Sequence, residues 1–215
     1  MTLKQAFAVA VGMSLVFVSK MAKLETLHEA RRAHTYLDSK GHPTVGIGFN
    51  LDRFGARSSL RNVGADYEAV REGVIDLTDG QIDALFSSCL SGAIGEARKS
   101  VPDLDSLPEV VQLVLVDMTF NMGSVVKFPR MIAAVERRDW EGMIAEMIDS
   151  TWYREDVPTR AKHDIELLRE QLNVVPHAQE LDDTDRAKIL AMVAITNDCT
   201  IADVLASRQV RSAFA

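Results

Sequence analysis

Apolar positions along this chain change period more than once. "LETLHEAR", from Leu24, reads as the end of a helix with Leu24 and Leu27 on one side. Over residues 35–48 the helical spacing gives way. Thr35, Tyr36, Val45 and Ile47 favour strands, "DSKG" is turn chemistry, and Pro43 biases His42 toward an extended backbone. A small β-hairpin follows, its second strand starting near Thr44. Helical spacing resumes after about residue 60. Thr78 and Gln81 form a capping box that opens a long helix, with Ile82, Leu85, Phe86, Cys89 and Ile94 on one side and Pro102 as its stop. Ser106 and Glu109 read as a second capping box, with Pro108 inside the first turn. The stretch that follows, "VVQLVLVDMTFNM", is apolar nearly all round, as a central helix is, and Gly123 ends it. Further helices are expected over 128–136, 139–150 and 159–171.

The two ends differ from this middle. Residues 6–18, "AFAVAVGMSLVFV", are apolar or small, a length that suits a signal-peptide core and is short for a membrane span. A membrane-directed segment and a packed helix both fit it. Past residue 171 a polar linker, "LNVVPHAQELDD", leads to two short helices around an "NDCT" turn. As a helix-turn-helix this is weak, because its second helix offers only Arg208 and Arg211. Packing against the main domain, against a virion partner or against another copy suits it better. The expected organisation is therefore an apolar segment over 1–20, a main domain over 21–171, and a linker with a helical hairpin over 172–215.

Composition narrows the function classes. The 215 residues are 47% apolar, enough for one domain with a real core, and 26% charged. A net charge of -7 argues against nucleic acid as a partner. Cys89 and Cys199 lie far apart without a CxxC spacing, which favours two buried free thiols over a single disulfide.

Familiar motifs fail one by one. "HEARR" at 28–32 begins like a zinc-protease helix, but Arg32 stands where the second histidine belongs. His34, His42, His163 and His177 show no ligand spacing, and neither a Walker lysine nor a GxSxG elbow occurs. No metal or cofactor is expected. What remains is Glu29 at a helix end, Asp38 in the hairpin turn and Thr44 on the return strand. A hairpin can bring Asp38 beside Thr44 while the helix end sets Glu29 across a cleft. Glycosidic hydrolysis needs two carboxyl groups on opposite faces of a sugar ring. Gly46 and Gly48 then read as positions that leave the strand backbone open to a bulky polymer.

With these residues assembled, the chain resembles the phage-type lysozymes. Glu29, Tyr36-Leu-Asp38, Gly41 and Thr44-Val-Gly46-Ile-Gly48 carry the likeness, with the family's Glu–Asp–Thr gaps of nine and six residues. "FNMG" at 120–123, "RDW" at 138–140 and "TWYREDVPTRAK" at 151–162 extend it in the same order, over about residues 21–171. The resemblance implies a mostly helical α+β fold of two lobes, a small hairpin lobe joined by a long helix to a helical lobe. It also implies an inverting muramidase acting on peptidoglycan glycan strands, with carboxyl groups ~6.5–9.5 Å apart to leave room for water. Glu29 would be the general acid, Asp38 would hold the attacking water, and Thr44 would orient it. Tyr36, Gly48, Phe120, Asn121 and Arg160 match substrate-side positions, Arg160 as the partner of the acidic residue. Trp152 and Tyr153 match an aromatic pair that serves core packing or glycan contact. The chain departs from the family at Ala30, where glycine is usual, and at Phe49, where histidine is common. The implied settings are host lysis from the cytoplasm into the wall, or a virion-borne enzyme. The alternative is a structural virion component that keeps the fold.

Overall fold

The computed structural model describes residues 11–38 and 40–174. The chain divides into a first unit running to Ile165 and a second beginning at Glu166. Expectations for residues 1–10 and for the hairpin beyond 174, Cys199 included, lie outside the described residues.

Helix α1, Leu15–Glu29, starts where the Ser14 hydroxyl accepts from the Phe17 N–H at 2.9 Å. It runs unbroken through residue 20 and buries Phe17, Val18, Met21, Leu24 and Glu25. Leu27 does not join them and is 66% exposed, because Leu24 already marks one edge of the buried stripe and Leu27 lies beyond that edge, away from Val18 and Glu25. Among the described residues no helix is long and apolar enough to cross a membrane. The helix stops at Ala30, whose φ of 60° and ψ of 171° suit glycine far better than alanine.

Beyond that break lie β1, Arg32–Leu37, β2, Pro43–Gly46, and β3, Phe49–Asn50, an antiparallel sheet in the order β1-β2-β3. The expected hairpin thus has a third strand, which at two residues is too short to leave a period in the sequence. Short helices α2, Ala56–Asn62, and α3, Tyr67–Arg71, follow. The long helix α4, Asp79–Ser100, begins with the anticipated Thr78–Gln81 capping box and carries the chain to the helical part.

A single-turn 3₁₀ helix, Leu104–Ser106, precedes the central helix α5, Glu109–Met122, which is buried at Val110 and Val111 and from Leu113 through Thr119. The second capping box does not form. Pro108, with φ −50° and ψ 140°, is itself the capping position, so the helix starts too late for Ser106 to reach it. Ser106 instead donates to the Asp103 carbonyl at 2.8 Å, and Glu109 pairs with Lys20 at 2.9 Å. Helices α6, Pro129–Glu136, and α7, Trp140–Ile148, a π-helical turn over Trp152–Asp156, and α8, Pro158–Leu172, complete the described fold. This is the mostly helical α+β architecture that the sequence implied.

Candidate active site

The hairpin side of the site is organised by its own backbone. One oxygen of Asp38, Oδ1, accepts from the N–H groups of Lys40 and His42, both at 2.9 Å. The Asp38 N–H in turn donates to the His42 carbonyl at 2.9 Å, closing the loop between β1 and β2. Thr44 is buried, and its hydroxyl donates to that same carbonyl at 3.2 Å. The Tyr36 hydroxyl donates to the Glu29 carbonyl at 3.3 Å, with the Arg32 guanidinium 4.4 Å above its ring.

Gly48 is not in a strand. It sits in the turn between β2 and β3 at φ 63°, and a Cβ there would come within 2.8 Å of both Cγ and Oε2 of Glu29. The missing side chain makes room for Glu29. Gly46 faces the other way, since a Cβ on it would lie 3.7 Å from Ile82 of α4. At Gly46 that contact would be an ordinary one, and it is the φ of 69° that favours glycine there.

Opposite the hairpin, the last residue of α1 is Glu29, 27% exposed at its side chain. The Arg160 guanidinium, from the first turn of α8, donates through Nη2 to Glu29 Oε1 and through Nη1 to Asp117 Oδ2 at 3.2 Å. Glu25, one helical turn before Glu29, stands 3.5 Å from the same guanidinium. Asp117 reaches further, its Oδ1 lying 3.0 Å from His28 Nδ1, while His28 Nε2 lies 3.0 Å from His163 Nδ1.

These charges settle one another's protonation. Burial alone would raise Asp117, but the His28 hydrogen bond and the Arg160 charge outweigh it and hold the carboxyl below its ordinary range. Asp117 is thus ionised and can only accept, so His28 Nδ1 carries the hydrogen. Glu25 is pushed well up, by burial first and then by the Asp117 charge, with Arg160 opposing. Asp164 is pushed up by burial and the same Asp117 charge. Burial works against the cationic form of Arg160, yet the charges of Asp117, Glu25 and Glu29 hold its proton more tightly than usual.

The two sides meet in a cleft of about 590 Å³, lined among others by Glu29, Asp38, Gly48, Phe120, Asn121 and Arg160. Tyr36 and Thr44 are not among its lining. Asn121 accepts from the indole N–H of buried Trp152 at 3.3 Å, and Phe120 tilts against Phe86 with ring centroids 5.8 Å apart. Trp152 is accordingly a core residue that orients a cleft residue. His28, Lys40, His42 and Asn50 also line the cleft, as do residues 156–159, and none was anticipated there. For the buried network a signal did exist. Asp117 is a lone charge in an otherwise apolar run, and such a residue needs a buried partner.

A sequence model of the phage lysozyme family matches residues 26–160, which span Glu29, Asp38, Thr44 and Arg160. The chain belongs to the phage lysozyme family. Among its relatives, Probable T4-type lysozyme 1 of Dictyostelium discoideum is 25% identical over 162 residues, 70% of this chain and 94% of that protein. Probable T4-type lysozyme 2 of the same organism is 25% identical over 145 residues, 63% of this chain and 85% of that one. Pre-baseplate central spike protein Gp5 of Enterobacteria phage T4 is 28% identical over 144 residues, 63% of this chain but only 25% of that protein. Among these relatives the matched region is thus most of a protein in two cases and part of a larger one in the third. His163 and Asp164 lie just past the residues matched to the phage lysozyme family.

Proposed function

We propose that this protein is an endo-β-1,4-N-acetylmuramidase that hydrolyses the MurNAc–GlcNAc bond of peptidoglycan with inversion at the anomeric carbon. The observation that carries the reading is the placement of Glu29 and Asp38 on the same cleft, one on a helix end and one on a hairpin loop. Glu29 donates a proton to the leaving glycosidic oxygen. Asp38, its Oδ1 fixed by two backbone N–H groups, holds and polarises the water that attacks from the other face. Thr44 braces the loop through the His42 carbonyl, and the lone pairs of its hydroxyl help to orient that water. Arg160 divides its charge among three carboxylates and fixes the position of Glu29. Tyr36 anchors the backbone at the same residue, Gly48 leaves it room, and Phe120 and Asn121 face the glycan.

Hydrolysis of purified glycan strands followed by NMR tests this. An inverting enzyme releases the α-anomer first from a β-linked substrate, and initial β-anomer would overturn the mechanism. The likeness to the phage T4 central spike protein favours a second reading, a virion component that carries this fold. Loss of turbidity of permeabilised Gram-negative cells supports the enzyme, whereas binding to walls without clearing supports the structural role. The N-terminal 1–20 segment and the 172–215 segment are then the places to seek membrane or virion attachment.

A further inference from the structure

Behind the cleft wall, three side chains from two helices converge. His28 on α1 and His163 and Asp164 on α8 each offer one donor atom, and these atoms lie within 4.8 Å of one another. The His28 and His163 rings meet edge to face, with centroids 5.2 Å apart at 88°. Asp164 is fully buried, and neither of its carboxylate oxygens has a partner in hydrogen-bonding geometry among the described residues. The neighbouring Asp117 carboxylate can take a hydrogen from a protonated Asp164 but repels the ionised form, so it gives the bare carboxylate no partner. A buried carboxylate in that condition costs free energy unless something else occupies its lone pairs. Glu25, Glu29, Asp117 and Asp164 gather around one guanidinium, that of Arg160.

We propose that His28, His163 and Asp164 form a binding site for a divalent transition-metal ion of the zinc class. Two imidazole nitrogens and one carboxylate oxygen are a donor set such ions take readily. The tautomer is already fixed for it. Asp117 binds the Nδ1 side of His28, which leaves Nε2 to face His163 and the ion, the carboxylate–histidine–metal arrangement that orients ligating imidazoles. In tetrahedral zinc sites, metal–ligand lengths near 2.1 Å imply ligand–ligand edges of roughly 3.4 Å. The ion would replace the hydrogen bridging the two rings, widen their 3.0 Å contact slightly and draw in the Asp164 oxygen. His163 then carries its hydrogen on Nε2, a change of tautomer, and a proton held by Asp164 passes to solvent when its oxygen binds the ion. His28 also lines the cleft, which gives the ion its way in. The sequence concealed the site because its ligands lie 135 residues apart in the chain.

Isothermal titration of the untagged full-length protein with zinc chloride tests the proposal, in parallel with the variants His163→Gln and Asp164→Asn and with the surface control His34→Gln. The expected result is one zinc ion per chain in the wild type and in the control, with affinity at least tenfold weaker in both site variants. At a hundredfold excess over Kd, zinc should raise the wild-type Tm by roughly 5–10 °C. Unchanged affinity in His163→Gln, or loss of binding in the surface control, overturns it. A second measurement needs no variant. Cobalt(II) bound here should give the intense visible bands of a four-coordinate N/O site, and only the weak bands of the hydrated ion would contradict the assignment.

Discussion

The two sides of the cleft hold their carboxylates in opposite ways. Asp38 rests on a loop that supplies its own donors, the N–H groups of Lys40 and His42. Its geometry is nearly local, spanning a few residues of chain. Glu29 rests on a network that draws on α1, α5 and α8, in which Arg160 serves Glu25, Glu29 and Asp117 at once. The local device needs little beyond the right turn conformation. The long-range device buries charge, so it depends on every partner being present. The role proposed for Glu29 asks for a fixed position, and the shared guanidinium holds it at a partly exposed helix end.

The largest expected effect breaks the helical side. Asp117→Asn removes the ionised partner of both Arg160 and His28, so it should destabilise the protein by about 3–5 kcal/mol, read by denaturant unfolding. The corresponding loss on the hairpin side is smaller, because its donors are backbone groups open to water. Gly48→Ala strikes where the two sides touch. It forces a side chain into a backbone at φ 63° and against Glu29. Activity should fall on the order of 100-fold and stability by about 1–3 kcal/mol, checked by turbidity and melting assays.

Ala30→Gly acts at the joint between helix and hairpin. Relief of the strained backbone there should stabilise by roughly 0.5–2 kcal/mol, after the extra chain entropy of glycine, seen as a higher Tm. Glu25→Gln sharpens the comparison by its small effect. Glu25 has its proton affinity raised in the folded state, so its contribution favours folding at low pH and is lost as pH rises past the ordinary value of 4.5 toward the raised one. The glutamine variant should lie within about 1 kcal/mol of wild type in acid and should lose less stability as pH rises to about 8. Stability curves at several pH values read this directly.

Local rules explain what the sequence disclosed. The capping box at Thr78, the limits of α6, α7 and α8, and the Asp38 loop all depend on residues a few positions apart. Pro108 defeated the second capping box because a fixed φ outranks a side-chain preference. Glu29, Asp38 and Thr44 could be singled out by spacing and by resemblance. The network of Glu25, His28, His163 and Asp164 could not, because helix packing alone brings it together. Within it, only Asp117 stood out, as a charge amid "VVQLVLV" and "MTF". Gly48 was singled out as a cleft position, but its close approach to Glu29 was not foreseen, since a positive φ is invisible to strand periodicity.

The proposed mechanism turns on Glu29 delivering the proton to the leaving oxygen. Glu29→Gln keeps the shape and removes the acid, and the measurement is glycan hydrolysis by this variant beside its melting curve. Near-complete loss of hydrolysis is expected, with cooperative melting at or above the wild-type temperature. Wild-type hydrolysis by Glu29→Gln would contradict it.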